Sequence, residues 1–157
     1  MGFSVVIQEQ DFDVAEEYQD IVDQASSAGA VVFFVGLVRD YYSKQEVTAK
    51  VRHIELQHYP EMTESLIAEI IEQAKQRYEI EAARVVHRVG RLTAGEQIVL
   101  VACASRHRDK AFEASQFIMD YLKTQATLWK REVGDKGEQW LGVKDKDKQA
   151  LERWRSD

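Results

Sequence analysis

The chain predicts an α+β domain with a mixed or antiparallel sheet. Some stretches carry apolar residues with the period of two expected of strands, and others with the 3.6-residue period of helices. Glycine-bearing turns separate pairs of β-prone runs. No internal repeat and no low-complexity tract interrupts the pattern. At 157 residues, with no linker in sight, one domain spanning 1–157 is expected.

Phe3 to Gln8 is a short β-prone run. Asp13, with Glu16 three residues on, forms a capping-box-like start for a helix whose Val14, Tyr18, Ile21, Val22 and Ala25 share one face and which ends near Ser26. After the break at Ser27-Ala28-Gly29, the run from Ala30 to Val35 is uniformly apolar and reads as a central strand buried on both faces. Gly36 interrupts it, as a glycine does at a bulge or where another backbone or ligand comes close. Asp40 to Lys50 is polar and reads as a mobile loop. Ile54 and Leu56 alternate with His53, Glu55 and Gln57 to give a strand with one polar face, and Pro60 suits the first turn of a helix. Met62, Leu66, Ile67, Ile70, Ile71, Ala74 and Tyr78 then follow at helical spacing.

Ala83 to Val89 and Gln97 to Ala104 are two further β runs, joined through a turn at Gly95 and expected to pair antiparallel. A helix from about Asp109 to Gln125 should send Ala111, Phe112, Ala114, Ile118, Tyr121 and Leu122 toward the core, with Asp120 and Lys123 on or near the other side. Trp129 to Val133 and Gln139 to Val143 flank Gly134-Asp135-Lys136-Gly137, the composition of a hairpin, and Asp145 to Arg155 suits a short charged helix.

The formal charge of −6 opposes loose binding to nucleic acid or to an anionic membrane, so any site for an anion must be local. Such a locality exists between Ser105 and Glu132. There Arg106, Arg108, Lys110, Lys123, Lys130 and Arg131 outnumber Asp109, Glu113, Asp120 and Glu132. The one cysteine, Cys103, forbids an internal disulfide and a cysteine-rich zinc site, which favours a reducing compartment, the cytoplasm. The N-terminus lacks the pattern of a secretory leader, and no stretch approaches the roughly 18 apolar residues of a membrane span, so a soluble chain is expected.

Several chemistries find no support. His53, His58 and His87 have no companion at metal-ligand spacing and read as hydrogen-bonded structural residues, and Cys103 in its apolar run reads as a buried thiol. No dinucleotide fingerprint, phosphate-binding loop or nucleophile elbow is present. The cations differ because separate elements supply them. His107 and Arg108 precede a helix start, where free backbone N–H groups and the helix dipole favour an anion such as phosphate. Lys123 follows Tyr121 on a mostly buried helix, where partial desolvation would bring its ammonium toward proton transfer or covalent attack. Lys130 would stand about 10 Å from it along an unbroken helix, or closer if the chain turns into a strand.

The order of several blocks carries a resemblance. Gly29 to Arg39, His58-Tyr59-Pro60-Glu61-Met62-Thr63-Glu64, His87-Arg88-Val89-Gly90, Ser105-Arg106-His107-Arg108, and Phe117 to Thr124 with Trp129-Lys130-Arg131-Glu132 together resemble the large, catalytic subunit of molybdopterin synthase, in order from about Phe3 to Trp154. The resemblance implies an α/β hammerhead fold with an additional antiparallel β subdomain, here a hairpin element near residues 129–143. It implies a sulfurtransferase of molybdenum cofactor biosynthesis that converts cyclic pyranopterin monophosphate, or precursor Z, into molybdopterin by adding two sulfurs as a dithiolene and opening the cyclic phosphate. Sulfur would arrive as a thiocarboxylate on the C-terminal Gly-Gly of a small ubiquitin-like partner, within a heterotetramer built on a dimer of large subunits. No resident cofactor or metal is implied.

By the same resemblance Lys123 and Lys130 are the catalytic lysines, and Arg39, His107 and Arg108 contact substrate and its phosphate. Val38, beside Arg39, and Arg131 and Glu132, beside Lys130, complete the expected substrate pocket. Two positions depart from the family: Leu37 stands where lysine is frequent, and Thr127 where proline is frequent. A reading of a different class remains, a non-catalytic anion- or nucleotide-binding module that uses the same cations.

Overall fold

The computed structural model describes residues 2–39, 41–44, 47–125, 128–134, 137–141 and 145–155. The order is β1 (Phe3–Gln8), α1 (Val14–Gln24), β2 (Ala30–Leu37), β3 (Tyr41–Lys44), β4 (Val47–His58), α2 (Met62–Tyr78), β5 (Ala82–Arg88), β6 (Gly90–Thr93), β7 (Gln97–Ser105), α3 (Arg108–Gln125), β8 (Leu128–Gly134), β9 (Gly137–Leu141) and α4 (Asp145–Glu152).

The α+β class holds, and the sheet is mixed. Four strands lie in the order β1-β5-β7-β2, with β1 parallel to β5 and the other pairs antiparallel. β7 is the interior strand on which both layers close. Val99, Val101 and Cys103 face α2 and α3, together with Ile67, Ile70, Ile71, Phe117 and Ile118. Leu100, Ala102 and Ala104 face the layer that holds Ile21 and Ala25 of the α1 segment. The start of α1 forms as its sequence directs: the Asp13 carboxylate accepts from the N–H groups of Ala15 (2.8 Å) and Glu16 (3.1 Å), a cap worth about 1 kcal/mol.

A second sheet runs β3-β4-β8-β9, with β6 on the other side of β4. β4 is long enough to serve three partners, its first residues pairing β3 and its later ones lying between β6 and β8. A third core of Val38, Ile54, Leu56, Val89 and Leu92, with Ile7, Ile98 and Leu128 against it, joins the two sheets. This weld fixes β8 relative to the end of β2.

Four expectations change. The apolar run from Ala30 is an edge strand, with Phe34 40% and Leu37 54% exposed, because among the described residues β2 pairs only with β7. A uniformly apolar strand signals burial without saying whether the chain itself supplies it. Residues 41–44 and 47–50, expected in a mobile loop, form the β3–β4 ladder; Asp40, Gln45 and Glu46 lie outside the described residues. The turn expected between β5 and β7 includes β6, which leaves the first sheet to pair with β4. Phe112, expected in the core, is 61% exposed, and Phe117 is the fully buried aromatic of α3. The hairpin expected near 129–143 is formed by β8 and β9, with Gly134 opposite Gly137; Val143 and Thr127 lie outside the described residues.

The Gly36 interruption has one of its two expected causes, the bulge, and the close neighbour is a side chain where a backbone or ligand was expected. The β2–β7 register shifts between Gly36 and Leu37, and a Cβ at Gly36 would stand 2.9 Å from Val99 Cγ1.

Candidate functional site at the end of the first sheet

Strand direction decides which cations can meet. In the antiparallel β2–β7 pair Ala30 stands opposite Ser105 and Leu37 opposite Gln97. The segment Arg106-His107-Arg108 therefore leaves the sheet where β2 begins, and Arg39 leaves it where β2 ends. At about 3.3 Å per residue the length of β2 separates them by roughly 25 Å. α3 then runs back along the sheet, and its rise from Arg108 to Lys123 covers about 22 Å, which brings Lys123 to the Arg39 end. His107, Arg108 and Lys123 are all exposed. The single chain thus groups Arg39 with Lys123, and leaves His107 and Arg108 at the far end.

Lys130 reaches the Arg39 end from the second sheet. It stands opposite Leu56 on β4, with Leu128 opposite His58 and Glu132 opposite Ile54. Directly opposed residues share a face, so Leu128, Lys130 and Glu132 project on the side where Ile54 and Leu56 pack against Val38. The Lys130 ammonium lies 3.5 Å from the Glu132 carboxylate, which is itself buried. α3 ends at Gln125 and β8 starts at Leu128, so the strand alternative for the Lys123 to Lys130 path is the one realised.

Beneath Lys123 sits a histidine. His87 continues the face of β5 that carries Ala83 and Val85 into the α2–α3 core, and is 7% exposed. Its Nδ1 is 2.7 Å from the Arg88 carbonyl oxygen. A carbonyl can only accept, so Nδ1 carries the proton and Nε2 keeps its lone pair. Burial pulls the pKa of His87 down to about 4, and electrostatic repulsion from Lys123 and from the neighbouring His58 pushes the same way, against the bond to Arg88. The ring is neutral at physiological pH. The geometry therefore gathers Arg39, Lys130, Lys123, His58 and a neutral His87 at one end of the sheet, a cationic patch on an acidic protein.

Comparison with known proteins bears on this patch. The family model described as MoaE protein matches residues 7–125. The chain belongs to the MoaE protein family. It is similar to the molybdopterin synthase catalytic subunit of Vibrio cholerae, 46% identical over 154 residues that cover 98% of this chain and 99% of the relative. The protein of the same name from Escherichia coli is 44% identical over 150 residues, 96% of this chain and 97% of that one. Among solved structures, the molybdopterin biosynthesis MoaE protein from Burkholderia ambifaria superposes with a TM-score of 0.82 at 40% identity, covering 98% of this chain and 99% of that one.

Other expected site residues of this MoaE chain fall differently. Arg131 projects from the opposite face of β8 and is held by Glu55, its partner across the ladder, and by Glu138 at 3.1 Å. Arg131 holds the Glu55 carboxyl below its ordinary pKa. Val38 is buried in the core between the sheets and offers its side chain to packing. The desolvation expected at Lys123 is not supplied by the chain, since the residue is exposed. His87 is buried and hydrogen-bonded, as the residue reading expected of a strand histidine; no local spacing ties it to a helix lysine, so its place beneath Lys123 comes from the fold.

Cys103 is fully buried with its thiol pushed up to about 12 by burial, which leaves it inert. A cavity of about 100 Å³ lies on the α1 side of the sheet, bordered by Glu17, Asp20 and Arg84, away from the lysines. Arg84 there is already engaged by Glu17 at 2.7 and 3.2 Å. Among the described residues no group of three His, Cys, Asp or Glu could hold a metal ion, and no helix is long and apolar enough to cross a membrane.

Proposed function

We propose that this chain is the catalytic subunit of a cytoplasmic molybdopterin synthase, transferring sulfur from the C-terminal thiocarboxylate of a small ubiquitin-like subunit to precursor Z. The observation that carries the reading is the gathering of Lys123, Lys130 and Arg39 at one end of the sheet, in a chain 46% identical to a protein of that name. Substrate and sulfur donor are both anionic, and opening a cyclic phosphate needs charge stabilisation and a proton donor. Arg39 and Lys130 hold the phosphorylated pterin. Lys123, exposed at the helix end, moves a proton or stabilises charge as the phosphate opens. An incoming diglycine tail supplies the water exclusion that the chain alone does not give Lys123.

His107 and Arg108 enter this reading through a second copy. At about 22 Å from Lys123 their charges lie beyond a screening length of about 8 Å and cannot serve the same substrate. Two features support self-association. Among the described residues the outer edge of β2 pairs with no strand, with Phe34 and Leu37 exposed, and Phe112, one helical turn after Arg108, is 61% exposed. An interface that covers Phe112 carries Arg108 to the neighbouring copy, and a two-fold dimer then completes two pockets.

The test combines loss and rescue. Lys123→Ala and Arg108→Ala chains, each with thiocarboxylated partner, are expected to lose conversion of precursor Z. Mixed after unfolding and refolding together, they should recover about a quarter of wild-type activity, because half of the dimers hold one intact pocket of two. Normal turnover by Lys123→Ala refutes the lysine assignment, and no recovery in the mixture refutes the shared pocket.

A further inference from the structure

The segment that presents Arg39 is held by a network with no part in the chemistry described above. Val38 exchanges backbone hydrogen bonds with the turn between β6 and β7: its N–H donates to the Glu96 carbonyl and its carbonyl accepts from Gly95, both at 2.9 Å. Gly95, at φ +88, makes this turn possible. The turn is itself tied by the Glu96 side chain. One carboxylate oxygen accepts from the Thr93 backbone N–H and from the Thr93 hydroxyl, the latter at 3.0 Å, and the other lies 3.4 Å from Arg88 Nη1.

Arg88 extends the tie across the sheet end. It is buried at 6% exposure, and its guanidinium donates to the Glu9 carbonyl at 2.9 and 3.1 Å and to the Gln97 carbonyl at 3.0 Å. Gln97 stands opposite Leu37 across the bulge that re-aims the end of β2. The donors from Thr93 and Arg88 hold the Glu96 carboxyl below its ordinary pKa, so the ionised form that makes these bonds persists.

We propose that Glu96 is a positioning residue: by fastening the Thr93–Glu96 turn between Arg88 and the Val38 backbone, it sets where the Arg39 guanidinium stands. The proposal rests on the reading of Arg39 as a substrate contact. An anion contact through a guanidinium depends on direction as well as charge, so a loosened turn weakens substrate binding without removing any group that touches it. Glu96 is not a catalytic residue, and its effect runs through Arg39.

The experiment measures kcat and KM for precursor Z with the complex of this chain and its thiocarboxylated partner, using Glu96→Ala, Glu96→Gln, Arg39→Ala and the Glu96→Ala/Arg39→Ala double variant. Glu96→Ala is expected to raise KM about tenfold with kcat within about twofold, and Glu96→Gln, whose amide oxygen still accepts from Thr93, to recover most of the loss. In the Arg39→Ala background Glu96→Ala should add nothing, because the group it positions is gone. If Glu96→Ala does not fold, Thr93→Val removes one donor from the same tie and should raise KM about threefold. An unchanged KM in Glu96→Ala, or an equal rise with and without Arg39, overturns the proposal while Arg39→Ala stays impaired. A normal KM in Arg39→Ala overturns the proposal together with the reading of Arg39.

Discussion

Acidification is the perturbation whose effect on this protein is most directly calculable. In the unfolded chain His87 takes up a proton near its ordinary pKa of 6.5, and in the folded chain only near 4. Between those values the unfolded state binds more protons, so stability falls as pH falls from about 6.5 to about 4. From pH 7.5 to pH 5.0 the loss attributable to this one ring is about 2 kcal/mol, rising to about 3 kcal/mol below pH 4. Asp11, Glu55 and Glu96, whose carboxyls are held below their ordinary values, lose stability in a lower window, which pH 5.0 largely avoids. His87→Asn keeps a donor for the Arg88 carbonyl and cannot titrate. Urea unfolding at both pH values, followed by circular dichroism, reads the difference. At a denaturant slope near 2 kcal/mol per molar, wild type should lose about 1 M more of its midpoint than His87→Asn. Equal losses in the two proteins would refute a buried neutral His87. Lys123→Met should lessen the wild-type loss, because one positive charge opposing protonation of the ring is removed.

Three further outcomes follow from packing. Phe117 is fully buried between Tyr78, Tyr121 and Trp154, with centroids at 5.6, 4.5 and 5.5 Å, so Phe117→Ala should cost about 3–5 kcal/mol and loosen Trp154; a loss under about 1 kcal/mol, with unchanged tryptophan fluorescence, would contradict the packing. Gly36→Val places a Cβ 2.9 Å from Val99 Cγ1 and should destabilise by about 1–3 kcal/mol in the same unfolding assay, whereas a neutral effect would mean that the bulge yields freely. Cys103, with its thiol near 12, should react with an alkylating reagent at pH 8 about a thousandfold more slowly in the folded protein than in urea, and equal rates would show the thiol to be accessible.

Much of the architecture is legible in the residues because its causes are local. Asp13 caps α1 through a side chain two and three residues from its targets, the stripe from Ile67 to Tyr78 faces one core, and the glycines at 134 and 137 stand where the last hairpin turns. The errors share a cause too. The run from Ala30 is apolar enough for an interior strand, but its place at the sheet edge depends on which strands pair. Residues 41–44 and 47–50 fall in a polar stretch, and their strand conformation comes from the β3–β4 ladder instead of hydrophobic alternation. Phe112 fits the apolar stripe by spacing, but the fold leaves it 61% exposed.

The sequence by itself determined the helices and the strands that carry an apolar period, since such a period is set by residues a few positions apart. It also determined, through the order of its blocks, the family to which the chain belongs. Only the tertiary structure decided where each cation stands. The antiparallel β2–β7 pair and the return of α3 send Lys123 to the Arg39 end and leave His107 and Arg108 at the other, while the β4–β8 ladder brings in Lys130 and the end of β5 sets a neutral His87 beneath Lys123. Strand direction and register are fixed by contacts between distant residues, and no local window of the chain contains them.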